Sequence, residues 1–225
     1  MLADITNTEG DKHMNFVRWH NDTLGETAVN ALKKNKFNAI YFPNRQEAIY
    51  YVMSFIDSGL TVGLAGSVTV KELKIDEEAI KKGALILDHN AQHLTAEEKL
   101  ELRRKQLTCD VFLCSSNAIT LNGELVNVDG AGNRVAAMTF GPKKVVVVAG
   151  INKICQDIDA AFERIKLYAG PMNNKRLNIP NPCVNNGICL DCQSNTRICN
   201  IYSVLRKKPA ITAINVVIVG ENLGF

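Results

Sequence analysis

The run Val145-Val146-Val147-Val148 constrains the fold more than any other feature of the chain. A strand with one wet face alternates apolar and polar residues. Four consecutive β-branched residues read instead as a strand buried on both faces, the signature of a central strand in a parallel sheet. Further apolar segments of strand length are Ala39–Phe42, Leu60–Leu64, Ala84–Leu87, Val111–Cys114 and Ile211–Val219, and a short strand, Glu124–Val126, follows the Asn122-Gly123 turn.

Helical periodicity lies between them. Phe16, Val17, Leu24, Ala28, Ala31 and Leu32 predict a helix over Met14–Lys34 that caps the domain or makes dimer contacts. Asn44 with Glu47 and Thr95 with Glu98 are capping-box pairs, each opening a helix. Gly130–Met138 reads as a helix, and Ile158, Ala161, Phe162 and Ile165 give a last amphipathic one before Gly170-Pro171. Strands alternating with helices predict an α/β fold, a mostly parallel sheet flanked by helices.

The prolines, asparagines and cysteines of residues 171–200 break the pattern, so this stretch reads as a Cys-rich insertion in one domain spanning 14–225, with 1–13 a polar N-terminal extension. That extension has no apolar signal-peptide core, and no run approaches the ~20 apolar residues of a membrane helix. The expectation is a cytoplasmic protein with no membrane partner. Its 26 basic and 23 acidic residues nearly balance and aromatics are only 6%, which argues against a nucleic-acid partner.

Two segments suit a ligand site, because open α/β sheets bind ligands outside the carboxyl ends of their strands. The first is Gly66-Ser67-Val68-Thr69, where a tight turn leads into a helix; it reads either as a ligand loop or as a plain turn with Ser67 as cap. The second, Asp110–Arg134, concentrates Asn, Asp, Ser and Gly between two strands, more polar groups than turns require. The candidate ligand-binding residues are Gly66, Ser67, Thr69, Asn117, Asn127, Asp129, Gly130, Asn133 and Arg134. Asp129 and Arg134 make either an ion pair or, through Arg134, a bidentate carboxylate clamp. Lys153, after Gly150-Ile151-Asn152, reads either as a residue at the same end of the sheet or as a solvated side chain; His89 and His93 read as exposed histidines, and Glu124 as an exposed carboxylate in a hairpin.

Cys183, Cys189, Cys192 and Cys199 crowd into one stretch, whereas Cys109, Cys114 and Cys155 read as small core hydrophobes. Two cysteines at Cys-x2-Cys spacing grip one metal from a single turn, and the flanking pair completes four thiolates. A [4Fe–4S] cluster is the first expectation, with zinc, or no metal and redox disulfides, as alternatives.

The Gly66-Ser67-x-Thr69 turn, Asn122–Asn127, the Asp129-Gly130 step and Gly141-Pro142 resemble the lactate-utilization (LUD) domain family, over Met14–Phe225. Together with the cysteines, the chain is similar to an anaerobe-type branch carrying a Cys-rich C-terminal segment. The resemblance implies a fold similar to ribose-5-phosphate isomerase, glucosamine-6-phosphate deaminase and the CoA transferases. It also implies a subunit or accessory role in oxidising L-lactate or a related 2-hydroxy acid, with a small anionic metabolite as ligand, iron–sulfur redox proteins as partners and a homo-oligomer as an option.

A remoter resemblance, to methylthioribose-1-phosphate isomerases, fails at the chemistry. Asn117 stands where their catalytic acid would be, and an amide cannot exchange a proton near neutral pH. The alternatives are a stand-alone isomerase or transferase for a phosphorylated or CoA-linked substrate, and a non-catalytic electron-transfer or binding module. No catalytic residue is assigned.

Overall fold

The computed structural model describes residues 9–225, with side chains from Met14 onward; most of the expected N-terminal extension therefore lies outside the described residues. Helix α1 (Glu9–Lys34) leads into β1 (Asn38–Phe42), α2 (Arg45–Met53), β2 (Thr61–Leu64), α3 (Val68–Glu72), α4 (Ile75–Lys81), β3 (Leu85–Asp88), α5 (Ala96–Gln106) and β4 (Val111–Cys114). There follow β5 (Ala118–Thr120), β6 (Leu125–Asp129), α6 (Asn133–Thr139), β7 (Lys144–Gly150), β8 (Ile154–Cys155), α7 (Ile158–Arg164), α8 (Gly170–Arg176), α9 (Cys183–Asn186), β9 (Ile201–Leu205) and β10 (Ala213–Val219).

The main sheet has six parallel strands in the order β1-β10-β7-β4-β2-β3. The valine run lies in β7, and all four valines are fully buried. The pleat sends Val145 and Val147 to the core layer under α1 and α6, and Val146 and Val148 to the layer under α2, α3 and α4. This two-sided burial is why the run shows no polar alternation.

A second, four-stranded sheet, β8-β5-β6-β9, sits beside the first. Its strands are short, and β5 and β6 form an antiparallel hairpin with Ala118 opposite Val126. Ile119 and Leu125 face the core under α1, while Ala118 and Val126 pack with Ala161 and Ile165 beyond the other face. Gly123 closes the hairpin at φ 77°, and a Cβ there would lie 2.3 Å from the Ala31 carbonyl carbon, so only glycine lets the hairpin dock on α1.

The Asn44 and Thr95 caps form as expected, each side chain accepting the backbone N–H three residues on. The expected helix stop at Gly170-Pro171 does not occur. A π-helical turn, Ile165–Ala169, joins α7 to α8, and the Gly170 N–H donates to Ile165 O, five residues back. The wider turn absorbs Pro171, which has no N–H to give and whose ring would crowd a regular helix. The irregular excursion therefore begins after Arg176, not at 171.

α1 both caps and projects. Ala28, Val29 and Leu32 bury against the core, whereas Met14, Phe16 and Trp19 are exposed. No helix among the described residues is long and apolar enough to cross a membrane.

Candidate functional site

The strand order defines one switch point. From β2 the chain steps outward to β3, then returns to β4 on the other side of β2 and continues away through β7 and β10. The loops leaving β2 and β4 therefore diverge, leaving a crevice at their carboxyl ends. A cavity of about 320 Å³ opens there. It is walled by the two loops, the β6–α6 connection, the π turn with α8, and the end of the cysteine-bearing excursion at Ile198 and Cys199.

Of the nine residues singled out in the sequence, Gly66, Ser67, Asn117, Asp129, Gly130, Asn133 and Arg134 line this cavity. Gly66 makes its turn at φ 73°, and the Ser67 hydroxyl accepts from the Val70 N–H as the cap of α3. Thr69 and Asn127 are fully buried behind the wall.

Arg134 does not pair with Asp129. Its Nη1 donates to Ser115 O at 2.9 Å and Asn127 Oδ1 at 2.6 Å; its Nη2 donates to Asn117 Oδ1 and Val128 O, both at 2.9 Å. Four of its five N–H donors are thereby consumed, so the guanidinium ties the β4 loop to β6 and contributes charge rather than a free fork. Asp129 turns both carboxylate oxygens onto backbone, accepting from Gly130 N and Val135 N. The expected ion pair is absent because each partner has hydrogen bonds built for it nearby.

Asn117 takes N–H donors at Oδ1 from Val128 and Arg134, and its carbonyl accepts from Arg164 Nη1 at 2.7 Å. Asn127 Oδ1 accepts from Arg134 and from the Asn117 N–H, but its buried Nδ2 has no partner in the protein.

Lys153 is the residue the sequence reading undervalued. It is only 3% exposed, at the end of a 3-10 turn, Ile151–Lys153, that follows β7. Its Nζ lies 2.9 Å from Thr69 Oγ1 and 2.9 Å from Ser115 Oγ, spanning the ends of three elements. Burial, then the charges of Arg164 and Arg134, bring its pKa down to about 7; Glu72 and Cys114 oppose that shift. A lysine three residues past the glycine that ends a buried strand, with Ile151 and Asn152 between, is the signal the sequence offered.

His89 is also buried, not solvated. It lines the cavity and contacts Gln106 Nε2 through Nδ1 at 3.0 Å. Burial and then Arg103 lower its pKa, which favours the neutral ring. Glu124 is likewise buried, its Oε2 accepting from the Thr120 hydroxyl at 2.9 Å, so it braces the hairpin.

Arg103, Arg134, Lys153 and Arg176 all line the cavity, against one acidic side chain, that of Asp129. Among the described residues, no carboxylate lies within 4.0 Å of any of these four cations. Arg103 Nε is buried without a partner.

The four clustered cysteines are free thiols. Cys183 opens α9, and Cys189 Sγ accepts the Asp191 N–H at 3.4 Å. Arg197 fixes the loop, donating to Cys192 O and Cys199 O and pairing with Asp191 at 2.7 Å. Burial, with the other three thiols as neighbours, pushes Cys199 up to about 11. The donor set suits a thiophilic metal, but among the described residues no three His, Cys, Asp or Glu side chains converge into a ready cage.

A six-stranded parallel α/β sheet with a cationic crevice at its switch point is thus the class of protein this chain represents. A family model, the LUD domain, matches residues 25–219. The chain belongs to the LUD domain family, a family related to lactate utilization. Among solved structures it is similar to a DUF162 family protein from Deinococcus radiodurans, at 10% identity and a TM-score of 0.48, covering 88% of this chain and 98% of that one. No curated protein matches the chain.

Proposed function

We propose that this LUD-domain protein serves organic-acid metabolism by binding a small organic anion in the switch-point cavity, as a subunit or accessory factor in oxidising L-lactate or a related 2-hydroxy acid. One observation carries the reading: three arginines and Lys153 line the cavity without a carboxylate partner, and the one acidic side chain there is turned onto backbone N–H groups. Arg103 Nε is buried without a partner, and an anionic ligand would complete it. The volume lies at the small end of ligand pockets, in keeping with a metabolite rather than a dinucleotide.

Calorimetry and thermal melts with L-lactate, pyruvate, ribose 5-phosphate and acetyl-CoA test it. Saturable binding of lactate or pyruvate, weakened by Arg103→Gln, is the expected result. Tight binding of the sugar phosphate or CoA ester alone would favour the isomerase or transferase reading. No binding of any anion overturns the assignment.

A second reading concerns the excursion. The four thiols, the N–H···S bond at Cys189 and the carbonyls pinned by Arg197 support a thiolate-held metal, [4Fe–4S] first and zinc as the alternative, which would make redox proteins natural partners. Purification without oxygen, with iron and zinc analysis and a visible spectrum, decides it; Cys192→Ser should lower the metal content. Metal-free protein with a colourless spectrum refutes the site.

A further inference from the structure

We propose that Lys153 is a catalytic nucleophile that forms an imine with the carbonyl carbon of a small 2-oxo acid bound in the cavity. The inference rests on the anion-binding reading of the same cavity and adds a reaction to it.

The geometry singles out this lysine. Its amine lies at the crevice between the ends of β2, β4 and β7, lines the cavity, and has as direct partners only the hydroxyls of Thr69 and Ser115. Both hydroxyls donate elsewhere, Thr69 to Leu223 O at 3.4 Å and Ser115 to Ser116 O at 3.3 Å, so they accept from Nζ; a neutral amine has two N–H groups to satisfy them and keeps its lone pair free. The charged groups that act on it are Arg164 from α7 and Arg134 from α6, which repel the ammonium, and Glu72 from α3 and Cys114 from β4, which favour it. Burial tips the balance toward the free amine. Desolvation beside other cations is how a lysine becomes nucleophilic near neutral pH. The cations that repel the ammonium also attract a carboxylate, and in a 2-oxo acid the carbonyl carbon is bonded directly to that carboxylate.

The step balances without an added oxidant or reductant. The Nζ lone pair forms the C–N bond as the carbonyl π pair moves onto oxygen. That oxygen and the two amine protons leave as water, and the imine remains. Thr69 Oγ1 and Ser115 Oγ, each 2.9 Å from Nζ, are placed to pass a proton from nitrogen to the departing oxygen. Hydrolysis reverses the step.

The test is reductive trapping on the full chain. The protein is incubated with pyruvate or glyoxylate and sodium cyanoborohydride, digested, and mapped by mass spectrometry, while thermal melts with each acid are recorded in parallel. At pH 7 the neutral fraction of Lys153 is roughly a thousandfold that of an exposed lysine. The expected result is a saturable adduct dominated by Lys153, competed by L-lactate, and missing from Lys153→Met. Adducts spread over exposed lysines with Lys153 unmodified overturn the proposal. If the acids raise the melting temperature while Lys153 stays unmodified, the nucleophile falls and the binding reading stands. If neither a shift nor an adduct appears, both fall for oxo acids.

Discussion

Replacing Lys153 with methionine should stabilise the protein at neutral pH. An ordinary lysine titrates near 10.5, and this one is held at about 7. The unfolded chain therefore binds the proton more tightly, and stability rises with pH between those two values; the penalty is fully present below about pH 7. At about 1.4 kcal/mol per pH unit, folding the protonated chain at pH 7 costs about 4 kcal/mol. Methionine keeps all but the last atom of the unbranched side chain and removes the charge. It also removes two hydrogen bonds, to Thr69 and Ser115, worth about 1 kcal/mol each. The net gain should be about 2 kcal/mol at pH 6–7, a rise in Tm of ~4–8 °C for a chain of this size. The gain should vanish near about pH 9, where the remaining charge penalty has fallen to about the 2 kcal/mol of the lost hydrogen bonds, and reverse above it as the amine becomes neutral in both states. Urea denaturation of both proteins from pH 6 to 10 measures the difference. A variant that is less stable at pH 6–7, or whose advantage does not change with pH, would falsify the view that Lys153 is a buried amine held against its own charge.

Other residues give simpler expectations. Arg134→Gln breaks the four-bond tie between the β4 loop and β6, and should cost about 3 kcal/mol in urea unfolding; a loss below about 0.5 kcal/mol would show that the tie does not hold the site together. Gly123→Ala forces a Cβ to 2.3 Å from Ala31 backbone at positive φ, and should cost more than about 3 kcal/mol, with loss of soluble yield. Thr95→Ala removes one side of the α5 capping box, and a loss of about 1 kcal/mol is expected, seen as a Tm lower by a few degrees.

The main sheet was legible because its strands carry two-sided burial in plain view. The valine run, Val111–Cys114 and the capping residues Asn44 and Thr95 each mark an element that forms. The second sheet was mostly not legible. β5 has three residues and β8 two, too short for any period to emerge, and β9 pairs with a strand more than seventy residues earlier. The π turn was missed because a proline after glycine ordinarily ends a helix, and no local pattern announces the bond from Gly170 N–H to Ile165 O or the burial of Ile165 and Ala169.

At the site, local reading found the polar loops but not what their groups bond. Asp129 and Arg134 lie five residues apart and invite an ion pair, yet Arg134 is taken by carbonyl and amide oxygens of the β4 loop and β6, and Asp129 by the backbone N–H groups of Gly130 and Val135. The burial of Lys153 and His89 depends on α3, α5 and the β4 loop closing over them, which no local pattern announces.

The cysteine-bearing excursion ends in the wall of the cavity. Ile198 and Cys199 line it, the Asn200 N–H donates to Asp129 O, and Gly130 lies so close to Ile198 that a Cβ there would come within 3.2 Å of the Ile198 carbonyl oxygen. Whatever rearranges the thiols, whether oxidation, metal capture or metal loss, must move or hold this wall. Linkage then works in both directions: if one state of the cysteines tightens the cavity's hold on its anion by some factor, the anion favours that state by the same factor. With both sites occupied as proposed, metabolite supply and the redox or metal status of the thiols would each be read through the other.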